Sequence, residues 1–291
     1  MSIPMSAQCY VCHLRRNTEI ARSLAGDEGA DQVARGLMQA YLEAPDHAGS
    51  PWFGPRVTEL LEQYCGVTGD RYAEEKAESN RFVLSRMESI RAYIAGSDDP
   101  VYAGLQMAIL GNYIDFSALH GEVSFEKLDE MLENARDIRV EKAAWEALLS
   151  DLAQAKTLLY LTDNAGEIGF DRIFAEELQK KYPQLAVTFC VRGGNAGNDA
   201  TRADAAEVEI PFPVIDNGST IAGTVPERLG AEAARAFETA DVILSKGQAN
   251  VETLWGCGKN IYYAFLIKCA RFESTFGKAK FTPMLVRERD R

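Results

Sequence analysis

The sequence predicts an α/β protein: a three-layer α/β/α domain with a mostly parallel sheet, and an N-terminal all-helical domain packed on it. Before residue 155 nearly every segment has apolar residues at helical spacing; after it, short apolar runs alternate with amphipathic ones. Apolar strands alternating with amphipathic helices imply a parallel sheet covered on both faces. A third observation is the lack of repeats, low-complexity tracts or a long linker, so the helices are expected to pack on the sheet rather than swing freely. The domains are drawn at 1–154 and 155–291.

The helical elements come first. "DRYAEEKAESNRFVLSRMESIRAYIAG" runs from a cap at Asp70 to Gly96, with Phe82, Val83, Met87, Ile90 and Ile94 on one face. "DDPVYAGLQMAILGNYIDF" places Pro100 where a helix can begin. "SFEKLDEMLENA" has Ser124 as its cap, and "KAAWEALLSDLAQA" carries Trp145, Leu148, Leu149 and Leu152. Then "TLLYLTD" reads as a strand, "IGFDRIFAEELQKKYP" as a helix and "LAVTFCVRG" as a strand. "DATRADAAE" is a short helix, "EIPFPVIDNG" is extended, "PERLGAEAARAFETA" is a helix, and "DVILSKG" and "NIYYAFLIKC" are strands.

Composition narrows the function classes. The chain has 291 residues, 46% hydrophobic and 25% charged, as in soluble globular proteins. No apolar run approaches the roughly 18 residues that cross a membrane, and the start lacks a secretory pattern, so a cytoplasmic protein with no membrane partner is expected. A net charge of -12 argues against a nucleic-acid partner, which requires a basic surface. The six cysteines are too sparse for a disulfide framework. Cys9 and Cys12 form a CxxC, at most half of a four-ligand zinc site; the plain reading is two reduced thiols, and the alternative is a metal or redox pair with His13 and Cys269 as conceivable further ligands.

Ligands of open parallel sheets bind outside the carboxyl ends of the strands, and three predicted strands end in polar clusters. These are Asp163-Asn164-Ala165-Gly166-Glu167, then Asn198, Asp199, Thr201 and Asp204, and then Lys246-Gly247-Gln248-Ala249-Asn250. Each alone reads as a helix cap or a turn; three on one rim point to a site. Asp163, Asn164 and Asp199 offer only oxygen ligands, which suit Mg²⁺ or Mn²⁺. None of His13, His47 and His120 falls in the clusters, which argues against a histidine-built zinc site. Lys246 beside Gly247 suits a phosphate. Metal on one side of a phosphoryl group and lysine on the other form an electrostatic clamp. The dinucleotide fingerprint GxGxxG and the phosphate loop GxxxxGK[ST] are both missing. The haloacid dehalogenase pattern needs a second Asp where Ala165 stands.

"LTDNAGEIGFD", "GNDATRADA" and "LSKGQANVETL" together resemble the damage-control phosphatases, a metal-dependent family first catalogued as a domain of unknown function. "CYVCHLRR", "DRYAEEKAESNRF" and "DDPVYAGLQMAILGNYIDF" are similar to its subfamily with an N-terminal CxxC, and the likeness runs in order from Cys9 to about Cys269. The resemblance implies hydrolysis of phosphate monoesters of small metabolites, including sugar phosphates, with Mn²⁺, Co²⁺, Ni²⁺ or Mg²⁺. It implies metal ligands at Asp163, Asn164 and Asp199 and a phosphate-binding Lys246, joined by Gly247 and Asn250. It further implies that Gly111, Asn112, Lys76 and Asn80 reach the site from the helices; Lys76 and Asn80 lie one turn apart and share a face. Asp204 or Glu167 is the candidate for moving protons. Two other readings stay open: an S-adenosylmethionine-dependent methyltransferase and a non-catalytic sugar-phosphate-binding protein.

Overall fold

The computed structural model describes residues 2–116 and 123–288; His120 lies outside the described residues. Six helices come first: α1 (Ala7–Glu43), α2 (Gly54–Cys65), α3 (Ala73–Ala95), α4 (Pro100–Gly111), α5 (Phe125–Glu133) and α6 (Lys142–Gln154). The sheet region follows as β1 (Thr157–Leu161), α7 (Glu167–Lys181), β2 (Ala186–Val191), α8 (Arg202–Glu207) and β3 (Val214–Asp216). It continues through α9 (Ala231–Thr239), β4 (Val242–Lys246), α10 (Gln248–Leu254), β5 (Ile261–Leu266), α11 (Ala270–Phe276) and β6 (Pro283–Arg287).

The helix starts have local causes. The Ser124 side chain accepts from Lys127 N, and Asp99 accepts from Tyr102 N just ahead of Pro100. Asp70 acts one step earlier than expected. It accepts from Tyr72 N at 2.9 Å in a turn, and α3 itself begins at Ala73. The helix expected from Pro226 is split into a short 3₁₀ turn and α9, which starts only at Ala231. α1 carries a kink at Ala25 and Gly26, where Gly26 has φ 68°.

The strands form one sheet in the order β3-β2-β1-β4-β5-β6, parallel throughout except β6, which pairs antiparallel with β5. Alternate side chains divide between two cores. Leu158, Tyr160, Phe189, Leu244 and Tyr262 pack with α3, α4, α6 and α7 on one face. Leu159, Leu161, Ile243, Tyr263 and Phe265 pack with α9, α10 and α11 on the other. That is the three-layer arrangement that apolar strands alternating with amphipathic helices imply. α1 and α2 close a smaller core of their own, through Ala21, Val33, Leu37, Leu60 and Leu61. Among the described residues no helix is long and apolar enough to cross a membrane.

The order of strands reverses between β1 and β4, which opens a crevice at their carboxyl ends. Two glycines shape it. Gly166 (φ 75°) lies so close to α3 that a Cβ would stand 2.7 Å from the Ser79 side chain. Gly247 (φ 77°) lies against Asp163, where a Cβ would stand 1.9 Å from Oδ2.

Candidate active site

A cavity of about 220 Å³ opens over this crevice. Asp163, Asp199, Asp115 and Gln248 line it from the sheet side, and His13, Arg16, Arg71 and Tyr72 from the helical side. Asp163 stands two residues past the end of β1. Its Oδ2 accepts from Asn112 Nδ2 and Asn164 Nδ2, both at 2.9 Å, and Arg192 Nη2 lies 3.9 Å from Oδ1. Asp199 reaches the same wall through a backbone bridge to Asn164, and its Oδ2 accepts from Arg192 Nε at 2.6 Å. Burial holds the Asp163 carboxyl well above the usual carboxylate range, and the charges of Asp199 and Glu167 push it the same way. Asp199 is raised by burial as well, with Arg192 opposing.

The expected metal ligands therefore converge, with one difference of orientation. Asn164 is buried behind the wall; its Oδ1 accepts from Asn198 Nδ2 at 2.9 Å, and its Nδ2 donates to Asp163 and Glu167. Only the two aspartates face the cavity. Among the described residues no group of three His, Cys, Asp or Glu side chains is placed to hold a cation. The donor chemistry still fits one. Among the described residues six buried carboxylates (Asp115, Asp163, Glu167, Asp171, Asp199, Asp204) accompany four buried cations (Lys76, Lys246, Lys268, Arg192). An excess of negative charge in a water-poor wall is met by protonation or by a bound cation, and hard oxygen donors select a hard divalent one.

Lys246 is placed differently from the phosphate ligand expected of it. Its ammonium is fully buried and spends all three donors inward, on Glu167 Oε1 at 2.7 Å, Asp171 Oδ1 at 2.6 Å and Ala108 O at 2.8 Å. Burial works against its charge, but Asp171 and Glu167 outweigh it and hold the lysine above its ordinary value. Asp171 also accepts from Tyr160 Oη at 2.8 Å. Its own carboxyl is pushed up to about 7 by burial, with Glu167 adding to the effect and Lys246 opposing it.

The other anticipated groups are also engaged within the protein. Glu167 is fully buried and holds Lys246, Asn112 and Asn164, so it does not face the cavity as a proton carrier would. Asp204 closes a capping box with Thr201 and accepts from Lys76 Nζ at 2.9 Å and Asn80 Nδ2 at 3.1 Å. Asn80 in turn accepts from Gly166 N at 2.7 Å, so Lys76 and Asn80 do share a face and use it to brace the turn behind Asp163. Gly247 N donates to Ala264 O, and Asn250 ties Thr162 O to Lys246 O. Asn112 bridges Asp163, Glu167 and Leu266 N, while Gly111 allows Phe170 to approach α4. Cys9 and Cys12 are free thiols in the first turns of α1; Cys9 Sγ lies 3.2 Å from Ser6 Oγ.

Two groups at this site were not singled out from the sequence. Lys268, two residues beyond β5, ion-pairs with Asp115 Oδ2 at 2.6 Å, and its charge opposes the rise of Asp163. Its partner Asp115 lines the cavity. The strand-end rule, applied to β5 as to the other strands, finds Lys268. Arg192, buried between Asp163 and Asp199, leaves its Nη1 without a partner.

The damage-control phosphatase ARMT1-like domain profile matches residues 5–281. A damage-control phosphatase of Archaeoglobus fulgidus is 32% identical over 279 residues, 91% of this chain and 92% of that protein. An uncharacterized protein of Methanocaldococcus jannaschii is 31% identical over 289 residues, 95% and 93% of the two chains. The crystal structure of a DUF89 family protein from Pyrococcus horikoshii superposes with a TM-score of 0.82 over 98% of this chain and 99% of that one, at 24% identity, a likeness of fold. On the extent and order of these matches, the chain belongs to the damage-control phosphatase ARMT1-like family.

Proposed function

We propose that this protein is a metal-dependent phosphatase that hydrolyses phosphate monoesters of small metabolites, sugar phosphates among them. One observation carries the reading: Asp163 and Asp199 line a metabolite-sized cavity at the switch point of the sheet, backed by more buried carboxylates than cations. Asp163 and Asp199 would hold Mn²⁺, Co²⁺, Ni²⁺ or Mg²⁺, with the Asn164 carboxamide orienting Asp163 from behind. Such an ion supplies Lewis acidity and neutralises phosphoryl charge.

The chain's own residues supply the rest. Lys268, paired with the cavity-lining Asp115, would exchange that carboxylate for a phosphate oxygen and contribute positive charge to the equatorial oxygens. Asn112 and Gly247 hold the Asp163 carboxylate in one orientation, the former by hydrogen bond and the latter by close approach. Arg192 does the same for Asp199. The helical wall limits the water that reaches the phosphoryl group.

The test is release of nitrophenol from p-nitrophenyl phosphate with each of the four cations and with EDTA. Metal-dependent turnover is expected, and Asp163→Ala should lower it by roughly 10³-fold or more, the scale of losing a principal electrostatic contact, with little change in melting temperature. Full activity in that variant would overturn the assignment. Stabilisation by sugar phosphates without any phosphate release would favour a binding protein, and binding of S-adenosylmethionine without added metal a methyltransferase.

A further inference from the structure

Hydrolysis of an alkyl phosphate requires a proton for the departing oxygen, and the two residues expected to move one are engaged elsewhere. Glu167 is sealed with Lys246, and Asp204 closes the capping box. Among the described residues five carboxyls and one imidazole line the cavity: Asp70, Asp115, Asp163, Asp199, Glu252 and His13. Asp163 and Asp199 are assigned to the cation. Asp115 is paired with Lys268 at 2.6 Å, and Asp70 accepts from Tyr72 N and Lys76 Nζ. Burial first, and Arg16 next, lower the His13 imidazole to about 4, so at neutral pH the ring is uncharged and has already given up its acidic proton.

Glu252 differs from all of these. It belongs to α10 and is partly buried on the cavity wall. Its Oε2 accepts from Ser50 N at 3.2 Å, in the 3₁₀ turn Ser50–Phe53, and its backbone carbonyl accepts from Ile3 N at 2.8 Å. Its Oε1 has no hydrogen-bond partner among the described residues, and it is not sealed from water. One carboxyl oxygen is thus fixed by the backbone while the other is open to a ligand. The titratable groups packed around it are Arg271 of α11 and Cys269 just before that helix. Glu252 forms no ion pair among the described residues. Burial pushes its carboxyl up to about 7, against the opposing pull of Ser50 N and Arg271. Near neutral pH a large share of it carries a proton, which is the condition for an effective general acid.

We propose that Glu252 is the general acid of the reaction, delivering a proton to the ester oxygen of the leaving alcohol. This rests on the phosphatase reading of the cavity and adds to it the group that decides which esters are cleaved, namely those of alcohols too basic to leave unprotonated. A space of about 220 Å³ is on the scale of one small metabolite, so a substrate held beside Asp163 and Asp199 meets the Glu252 wall as well. As the ester P–O bond breaks, its electron pair goes to the ester oxygen, which takes the Glu252 proton and departs as the neutral alcohol. The attacking water forms the new P–O bond through its oxygen. One of its protons stays on the phosphate and the other restores the Glu252 carboxyl.

The experiment uses the full chain loaded with its most active cation, with benzyl phosphate and p-nitrophenyl phosphate as probes. Both carry one aromatic ring, but benzyl alcohol must leave with a proton and nitrophenolate can leave without one. Glu252→Gln keeps an oxygen for Ser50 N and cannot transfer a proton. It should lower kcat/KM for benzyl phosphate by roughly 10²-fold or more and for p-nitrophenyl phosphate by less than about tenfold, on the usual scale of general acid catalysis. Equal losses for the two esters, or no loss for either, overturn the proposal. The wild type gives a second reading that requires no variant. The ratio of kcat/KM for benzyl phosphate to that for p-nitrophenyl phosphate cancels groups that act on both esters alike. It should fall about tenfold or more between about pH 6.5 and 8.5 as Glu252 loses its proton. A ratio that stays level over this interval overturns the proposal even where the variant fails to fold, and so does a wild type that cleaves p-nitrophenyl phosphate but not benzyl phosphate. If neither ester is cleaved with any cation, the phosphatase reading itself has failed and the role of Glu252 falls with it.

Discussion

The two buried lysines at the sheet rim sit in opposite surroundings. Lys246 ends β4 and lies sealed under α4 and α7, with three acceptors and no exposure. Lys268 follows the neighbouring strand β5 and its side chain is as buried, but among the described residues its ion pair is with one carboxylate, Asp115, which lines the cavity. The same residue type on the same rim thus serves as a strut in one place and is tied to a cavity-lining carboxylate in the other. A strand-end position brings a side chain to the rim. Which side of the rim it occupies is decided by what packs above it, here Ala108 of α4 and Asp171 of α7.

Removing Lys246 gives the largest effect that tests this contrast. Lys246→Met leaves Glu167 and Asp171 facing each other without a cation in a dry interior. Breaking a buried ion pair from one side costs about 3–5 kcal/mol. The variant should unfold at markedly lower urea, and a midpoint equal to wild type would mean the network is not a strut.

Lys268→Met should do the reverse. Asp115 opens to the cavity, so water can solvate it once the partner is gone, and the loss of stability should be small. Turnover of p-nitrophenyl phosphate should fall by about 10²–10³-fold, the usual scale for losing one charge-stabilising donor. If Lys268→Met keeps full turnover while Lys246→Met folds normally but is inactive, the roles argued for the two lysines are exchanged.

Much of the fold was legible because its signals are local. The short apolar runs "TLLYL" and "DVILS" and the caps at Ser124 and Asp99 act within a few residues. α10 and α11, seven residues each, are too short to show a helical period, and the antiparallel β6 is defined by pairing with β5 rather than by its own pattern. At the site, the strand-end rule located Asp163, Asn164 and Asp199 on one rim. It did not reveal that Gly247 N is spent on Ala264 O, or that Asn112 reaches across to Glu167. Lys268 was passed over because a single lysine after an apolar strand looks like a solvated tail, and its partner Asp115 lies 153 positions away. Arg16 and Arg71 belong to different elements and meet at Tyr72.

The smallest predicted effect probes the sealed side through its proton. Asp171 is raised to about 7 in the folded protein, by burial first and by Glu167 next, with Lys246 opposing; an unfolded aspartate titrates near 3.9. A raised carboxyl favours the folded state while it is protonated. That contribution is complete below pH of about 3.9 and is lost as pH rises through about 7. Between pH 6 and pH 8 the loss is on the order of 1 kcal/mol. Asp171→Asn cannot titrate, so the gap in unfolding free energy between wild type and variant should shift in the variant's favour over that interval, in metal-free buffer. The Lys246 ammonium keeps Glu167 as a partner in the variant, which separates this effect from collapse of the network. A gap that stays constant from pH 6 to pH 8 would place the retained proton elsewhere, with Asp163, itself raised by burial, as the next residue to substitute.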